Sequence, residues 1–163
     1  MAREWEGMAL FYNGPHCGAS APDHFHFQAV DAWRLPILNR IREGKRTAFR
    51  VEAFECRSVD EGVDKFRRVM AECGRLKENE GEDEPRVNVI CVFEEGGWLV
   101  VVIPRRAHRP VFYGTGPDEL LLSPASVDLG GVVIVPSADD FYSKLTPEIL
   151  EAMFAQTCYC QEV

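Results

Sequence analysis

The run His24-Phe25-His26-Phe27-Gln28 sets two imidazoles and an amide at every second position. In an extended chain alternate side chains share a face, so His24, His26 and Gln28 point one way and Phe25 and Phe27 the other. Successive groups on such a face stand roughly 7 Å apart, which lets three of them engage different parts of one phosphate-bearing ligand. A neutral imidazole, with an ordinary pKa of about 6.5, attacks phosphorus at physiological pH and later leaves from the phosphoramidate, splitting one hard displacement into two easier ones. His26, the centre of the face, is the predicted nucleophile. Gln28 offers amide donors to a non-bridging phosphate oxygen where charge builds in the transition state. His24 would orient the site or the backbone around His26. Burial of Phe25 and Phe27 is expected to hold this strand rigid. In most proteins two histidines one residue apart are a solvated polar face, so the case for chemistry depends on their neighbours.

Just upstream, Asn13-Gly14-Pro15 and Cys17-Gly18-Ala19-Ser20 form a loop of small residues whose backbone N–H groups can face an anion. Ser20, Asn13 and Gly18 are its phosphate-binding candidates. Far downstream, Arg105, Arg106, His108 and Arg109 cluster at the end of an apolar run. They either meet a sugar phosphate or polyphosphate or form a solvated strand end.

The segment from Phe11 to Ala29 resembles the signature of the transferase branch of the histidine-triad superfamily. It is similar to diadenosine tetraphosphate phosphorylases, galactose-1-phosphate uridylyltransferases and, most of all, GDP-galactose phosphorylases. In that branch a glutamine stands where the hydrolases carry a third histidine; Gln28 matches it, and His26 matches the residue that becomes nucleotidylated. The stretches 100–110 and 123–131 resemble the later half of bacterial proteins related to these phosphorylases. The resemblance implies a nucleotidyltransferase or phosphorylase that acts on a nucleoside diphosphate sugar or dinucleoside polyphosphate through a nucleotidyl-histidine, with no metal and no cofactor. Hydrolysis through the same intermediate is one alternative; a truncated or degenerate domain that binds a nucleotide without turnover is another. In that branch the elements that hold the nucleoside lie upstream of the motif, whereas 23 residues precede His24. The base-binding half is therefore expected to be missing, and a second protomer, pairing at an open sheet edge, is expected to supply it. Asp23 stands where the uridylyltransferases carry proline.

Positioning these residues calls for a sheet with helical backing. Val63, Phe66, Val69, Met70, Cys73 and Leu76 recur at helical steps and predict a helix over 59–76, with Ser58 and Glu61 as a capping box. Thr146-Pro147 starts a second helix with Ile149, Leu150, Met153 and Phe154 inward. Strands are expected near 48–56, 87–93, 98–104 and 132–135, with a hairpin turn at Glu94-Glu95-Gly96-Gly97. The acidic run 78–85 reads as a solvated loop and 113–119 as a turn. Strands without regular βα alternation predict an α+β domain: an antiparallel sheet with helices packed on one side, histidine-triad-like but incomplete. The 163 residues suit one domain, with the histidine motif at 11–29 and the region resembling the later half at about 47–157.

Composition narrows the partners. At 46% apolar and 27% charged the chain is of soluble type, and no stretch approaches the roughly 20 apolar residues of a membrane span. The N-terminus carries acids before a short apolar run from Met8 to Tyr12, unlike a signal peptide, so cytoplasmic residence is expected. A net charge of −8 opposes the phosphate backbone of nucleic acid, whereas a small phosphorylated ligand needs only a local basic pocket. The six cysteines lack zinc-ligand spacing and are expected as free thiols.

Overall fold

Among the residues described by the computed structural model, 1–19 and 23–161, five strands form one antiparallel sheet. In chain order these are β1 (Met8–Asn13), β2 (Gln28–Asp31), β3 (Glu52–Cys56), β4 (Val87–Glu94) and β5 (Gly97–Pro104), and across the sheet they run β2-β1-β4-β5-β3. The helices are α1 (Pro36–Arg42), α2 (Val59–Gly74), α3 (Ser126–Leu129), α4 (Ala138–Ser143) and α5 (Pro147–Thr157).

Strand alternation divides the apolar residues between two faces. Ala9, Phe11, Ile90, Val92, Val101 and Ile103 pack beneath Ile37 and Leu38 of α1 and Leu129 of α3. Their neighbours Val87, Val89, Val100 and Val102 face Phe66, Val69, Met70 and Cys73 of α2. The α+β antiparallel architecture is as expected, but the helices occupy both faces rather than one. A third cluster, Leu120, Leu122 and Met153 with Ile149 and Leu150, seats α5 beside the sheet, and Phe154 joins it to the first. Both predicted helices form. Ser58 Oγ accepts from the N–H of Glu61, while the Glu61 carboxylate reaches the N–H of Arg57 instead of completing the capping box. Thr146 Oγ1 accepts from the N–H of Ile149.

Three strand expectations need correction. The first strand element near 48–56 is shorter, because Arg50 N–H pairs with the Tyr159 carbonyl outside the sheet and the ladder begins at Glu52. The segment 132–135 joins no ladder: Ile134 N–H goes to the Asp128 carboxylate, and Val132 and Ile134 face solvent. Most consequential, the chain enters the sheet only at Gln28, opposite Phe11, so His24 to Phe27 lie outside it. Phe25 and Phe27 are 70% and 49% exposed, against expectation. They fall on the Tyr12 side of the sheet, and α2 lies against β3 and β5 at the far end of that face.

The hairpin between β4 and β5 turns through Glu95 (φ 51°) and Gly96 (φ 77°), the two positive values of a type I′ turn. A glutamate pays the left-handed steric cost there, so Glu95→Asn is expected to stabilise the fold by up to about 1 kcal/mol, read as a raised denaturant midpoint. An unchanged or lowered midpoint would count against strain at this turn. Among the described residues no helix is long and apolar enough to cross a membrane.

Candidate active site

Asn13 at the end of β1 and Gln28 at the start of β2 lie on the α1 face of the sheet, since Gln28 pairs with Phe11 in the ladder. Both line a cavity of about 450 Å³ together with Gly18, Tyr113, Ser123 and Asp128. Three sequence-predicted site residues are thus brought together. A larger hollow, about 570 Å³ around Arg42, Glu94 and Trp98, lies at the β4–β5 hairpin and contains none of them. Its Arg42 and Glu94 neutralise one another at 2.5 Å.

Beneath that cavity runs a buried polar network. Arg105 is fully buried and all five of its N–H donors are engaged: Nε to the Thr157 carbonyl, Nη1 to Asn88 Oδ1 and the Pro124 carbonyl, Nη2 to the carbonyls of Ala107 and His108. None is left for a phosphate, which corrects the reading of Arg105 as a substrate ligand. Asn88, also fully buried, donates to Asn13 Oδ1 at 2.7 Å and to the Cys17 carbonyl at 2.9 Å. Asn13 Oδ1 also accepts from the N–H and Oγ of Ser126, and Asn13 Nδ2 donates to Gln28 Oε1 at 3.4 Å.

The loop of small residues departs from the anion cradle expected of it. The N–H groups of Gly14, Cys17 and Gly18 go to the Val87 carbonyl, the Gly14 carbonyl and His108 Nδ1. Gly18 lines the cavity for a steric reason: at φ +81° an added Cβ would stand 2.5 Å from the Pro124 carbonyl oxygen. Cys17 beside it is no nucleophile at neutral pH, because burial pushes its thiol up to about 12 although Arg105 opposes the shift. Ser20 lies outside the described residues.

His26 is half-buried, and its Nδ1 stands 3.1 Å from the carbonyl oxygen of His24. A carbonyl only accepts, so this contact places the proton on Nδ1 and leaves the lone pair on Nε2. The His24 ring lies 5.2 Å from that of His26 and borders a separate small hollow with Asp23 and Glu84. Phe25 and Phe27 stack on each other and on Tyr12, with centroids 5.0 to 6.2 Å apart. The core therefore does not anchor this strand, and the argument for rigidity through buried phenylalanines falls. What holds the segment is the aromatic trio, the His26 contact and the entry of Gln28 into the ladder.

The basic cluster separates by role. Arg106 turns toward Glu78, 3.6 Å away, and the Tyr159 ring. Arg109 touches two residues of the cavity wall: its guanidinium lies 4.1 Å over the Tyr113 ring and Nε donates to Ser123 Oγ at 3.2 Å. His108 accepts the Gly18 N–H, and burial, reinforced by the charge of Arg109, lowers its pKa below the usual imidazole range. A depressed histidine contributes stability that is present above the unfolded value of about 6.5 and lost as pH falls through the folded one. We predict that thermal stability declines on acidification from pH 7 toward 5, and that His108→Asn, which keeps an acceptor but cannot titrate, flattens the decline. An equal decline in both proteins would remove His108 from this role.

Asn88, Ser126, Tyr113 and Ser123 were not picked out as site residues from sequence. The signal for Asn88 was there: a lone amide inside the apolar run from Val87 to Val92.

A family described as a domain of unknown function (DUF4922) matches residues 1–31, which include the histidine motif. No curated protein matches the chain. Among solved structures, yeast Ap4A phosphorylase Apa2 in complex with AMP superposes with a TM-score of 0.59 at 17% identity, covering 99% of this chain and 61% of that one. The chain shares the fold of yeast Ap4A phosphorylase. A second structure of the same yeast enzyme gives a TM-score of 0.60 at 17% identity over 96% of this chain and 57% of that one. The likeness bears out the α+β architecture, and the chain spans about three-fifths of the length of these neighbours.

Proposed function

We propose that this chain is a nucleotidyltransferase or phosphorylase that works through a nucleotidyl-histidine at His26, on a nucleoside diphosphate sugar or dinucleoside polyphosphate. The observation that carries the reading is the 3.1 Å contact between His26 Nδ1 and the His24 carbonyl, which commits the proton to one nitrogen and the lone pair to the other. Nε2 attacks the α-phosphorus; the bond from phosphorus to the bridging oxygen breaks and the leaving phosphate takes its electron pair. The imidazolium so formed keeps its Nδ1 proton on the His24 carbonyl, which stabilises the positive charge. An oxygen of phosphate or of a sugar phosphate then attacks phosphorus, the P–N bond breaks, and Nε2 recovers its lone pair. Gln28, two residues further along the chain, donates to a non-bridging oxygen as charge accumulates. Arg109, over the Tyr113 ring at the cavity rim, would receive the distal phosphates. The AMP in the yeast complex supports a nucleotide as the ligand class.

A second reading, nucleotide binding without turnover, is favoured by the exposure of Phe25 and Phe27, which leaves the nucleophile's segment without a core anchor. Incubation with α-labelled nucleoside diphosphate sugars and dinucleoside polyphosphates separates the two. The transferase reading expects an acid-labile label on the protein that phosphate discharges; saturable binding with no label at any concentration would establish the second. Light scattering alongside reads whether the active species is the expected dimer or larger assembly.

A further inference from the structure

We infer that Asn13 is a positioning residue, the last link of an amide relay from Arg105 that turns the NH₂ group of Gln28 outward. The inference rests on the reading of Gln28 as a phosphate donor. A guanidinium offers donors only, so Asn88 must present Oδ1 to Arg105 Nη1, 2.6 Å away, which leaves its Nδ2 for Asn13 Oδ1 at 2.7 Å. The same oxygen of Asn13 accepts from the backbone N–H of Ser126 at 2.8 Å, a group that can only donate. The polarity of Asn13 is thereby fixed from two sides, and its Nδ2 faces Gln28. Nδ2 cannot accept, so Gln28 turns Oε1 inward, at 3.4 Å, and its Nε2 outward.

The consequence is chemical. A glutamine free to flip offers an anion either two N–H donors or a carbonyl dipole that repels it. The relay removes the wrong orientation before substrate arrives, which is the preorganisation that makes a donor effective in a transition state. It also assigns Arg105 a purpose that its burial would otherwise hide: a fixed cation, out of reach of the ligand, that sets the sense of three amides in series.

Two measurements test this. In the first, Asn13→Asp keeps an acceptor for Asn88 and Ser126 but presents none but lone pairs to Gln28, so Gln28 must invert. Labelling should slow by roughly 10²–10³, as for Gln28→Ala. The double variant should lie within about threefold of either single one, because two changes that remove one interaction do not add. If Asn13→Asp retains its full effect in the Gln28→Ala background, it acts by charge or by damage to the fold, and the relay is wrong.

The second measurement needs no turnover. In Gln28→Glu the new carboxylate faces a donor, so its NMR titration should fall below the ordinary glutamate value of about 4.3. A value at or above it would show that Asn13 does not donate, and would overturn the relay whether or not His26 is ever nucleotidylated. Absence of labelling in the unaltered protein would instead sink the transferase reading and leave this titration to decide the relay.

Discussion

His26→Ala is expected to abolish covalent nucleotidylation, while Gln28→Ala leaves it detectable and slower by roughly 10²–10³, the usual loss for one transition-state donor. The ordering follows from what each group supplies. His26 provides the lone pair, and the Cys17 thiol, held protonated by burial, does not replace it. Gln28 supplies only a donor whose loss raises a barrier without removing the path. Both variants should keep the fold, since Gln28 sits at the surface end of the network and His26 bonds to the His24 carbonyl within its own segment. Single-turnover labelling with the best substrate of the panel reads the order directly. A covalent adduct retained in His26→Ala would move the nucleophile elsewhere.

The second large effect concerns stability. Arg105→Ala should cost on the order of 4 kcal/mol or more, because it strands Asn88 Oδ1 and the carbonyls of Pro124, Ala107 and His108 without their donor, while the Thr157 carbonyl keeps the N–H of Arg106. Against a typical domain stability of about 5–15 kcal/mol, that loss consumes much of the total. Arg105→Lys should rescue little, since one ammonium with three donors cannot reach five acceptors spread in a plane. Arg109→Ala, by contrast, removes a group at the rim and should stay within about 0.5 kcal/mol of the parent. Urea unfolding of the three variants tests the contrast. An Arg105→Ala protein with the parent's midpoint would show that the carbonyls find water and that the buried guanidinium is dispensable.

Legibility in the sequence followed locality. α2 and α5 were readable because their apolar residues recur within a few turns and their caps, Ser58 and Thr146, sit one residue before the helix. β4, β5 and the turn through Glu95 and Gly96 were readable for the same reason. Gln28 and Asn13 stood out by type and spacing, and the fold brings both to one cavity. What escaped was whatever depends on which distant element covers a face. Alternation grouped Phe25 with Phe27, which stack on one another, but only the placement of α2 over β3 and β5 decides that their side of the sheet is bare there. In the same way Arg105 and Arg109, four positions apart, read as one basic cluster. Their difference arises because the first points into a space walled by Asn88, Pro124 and Thr157 and the second onto Tyr113. Asn13 was expected at the phosphate because it stands in a loop of small residues; that Ser126, more than a hundred positions away, claims its oxygen is not written locally.

The central claim is a bond between phosphorus and a particular nitrogen, so the most direct measurement locates that bond. The protein is labelled with the substrate that turns over in the panel, digested under alkaline conditions that spare phosphoramidates, and the labelled peptide is identified by mass spectrometry. The account predicts a single nucleotidylated peptide containing His26, with the phosphorus on Nε2 by NMR because Nδ1 is committed to the His24 carbonyl. A label on any other residue, or a phosphoramidate at Nδ1 of His26, would contradict it.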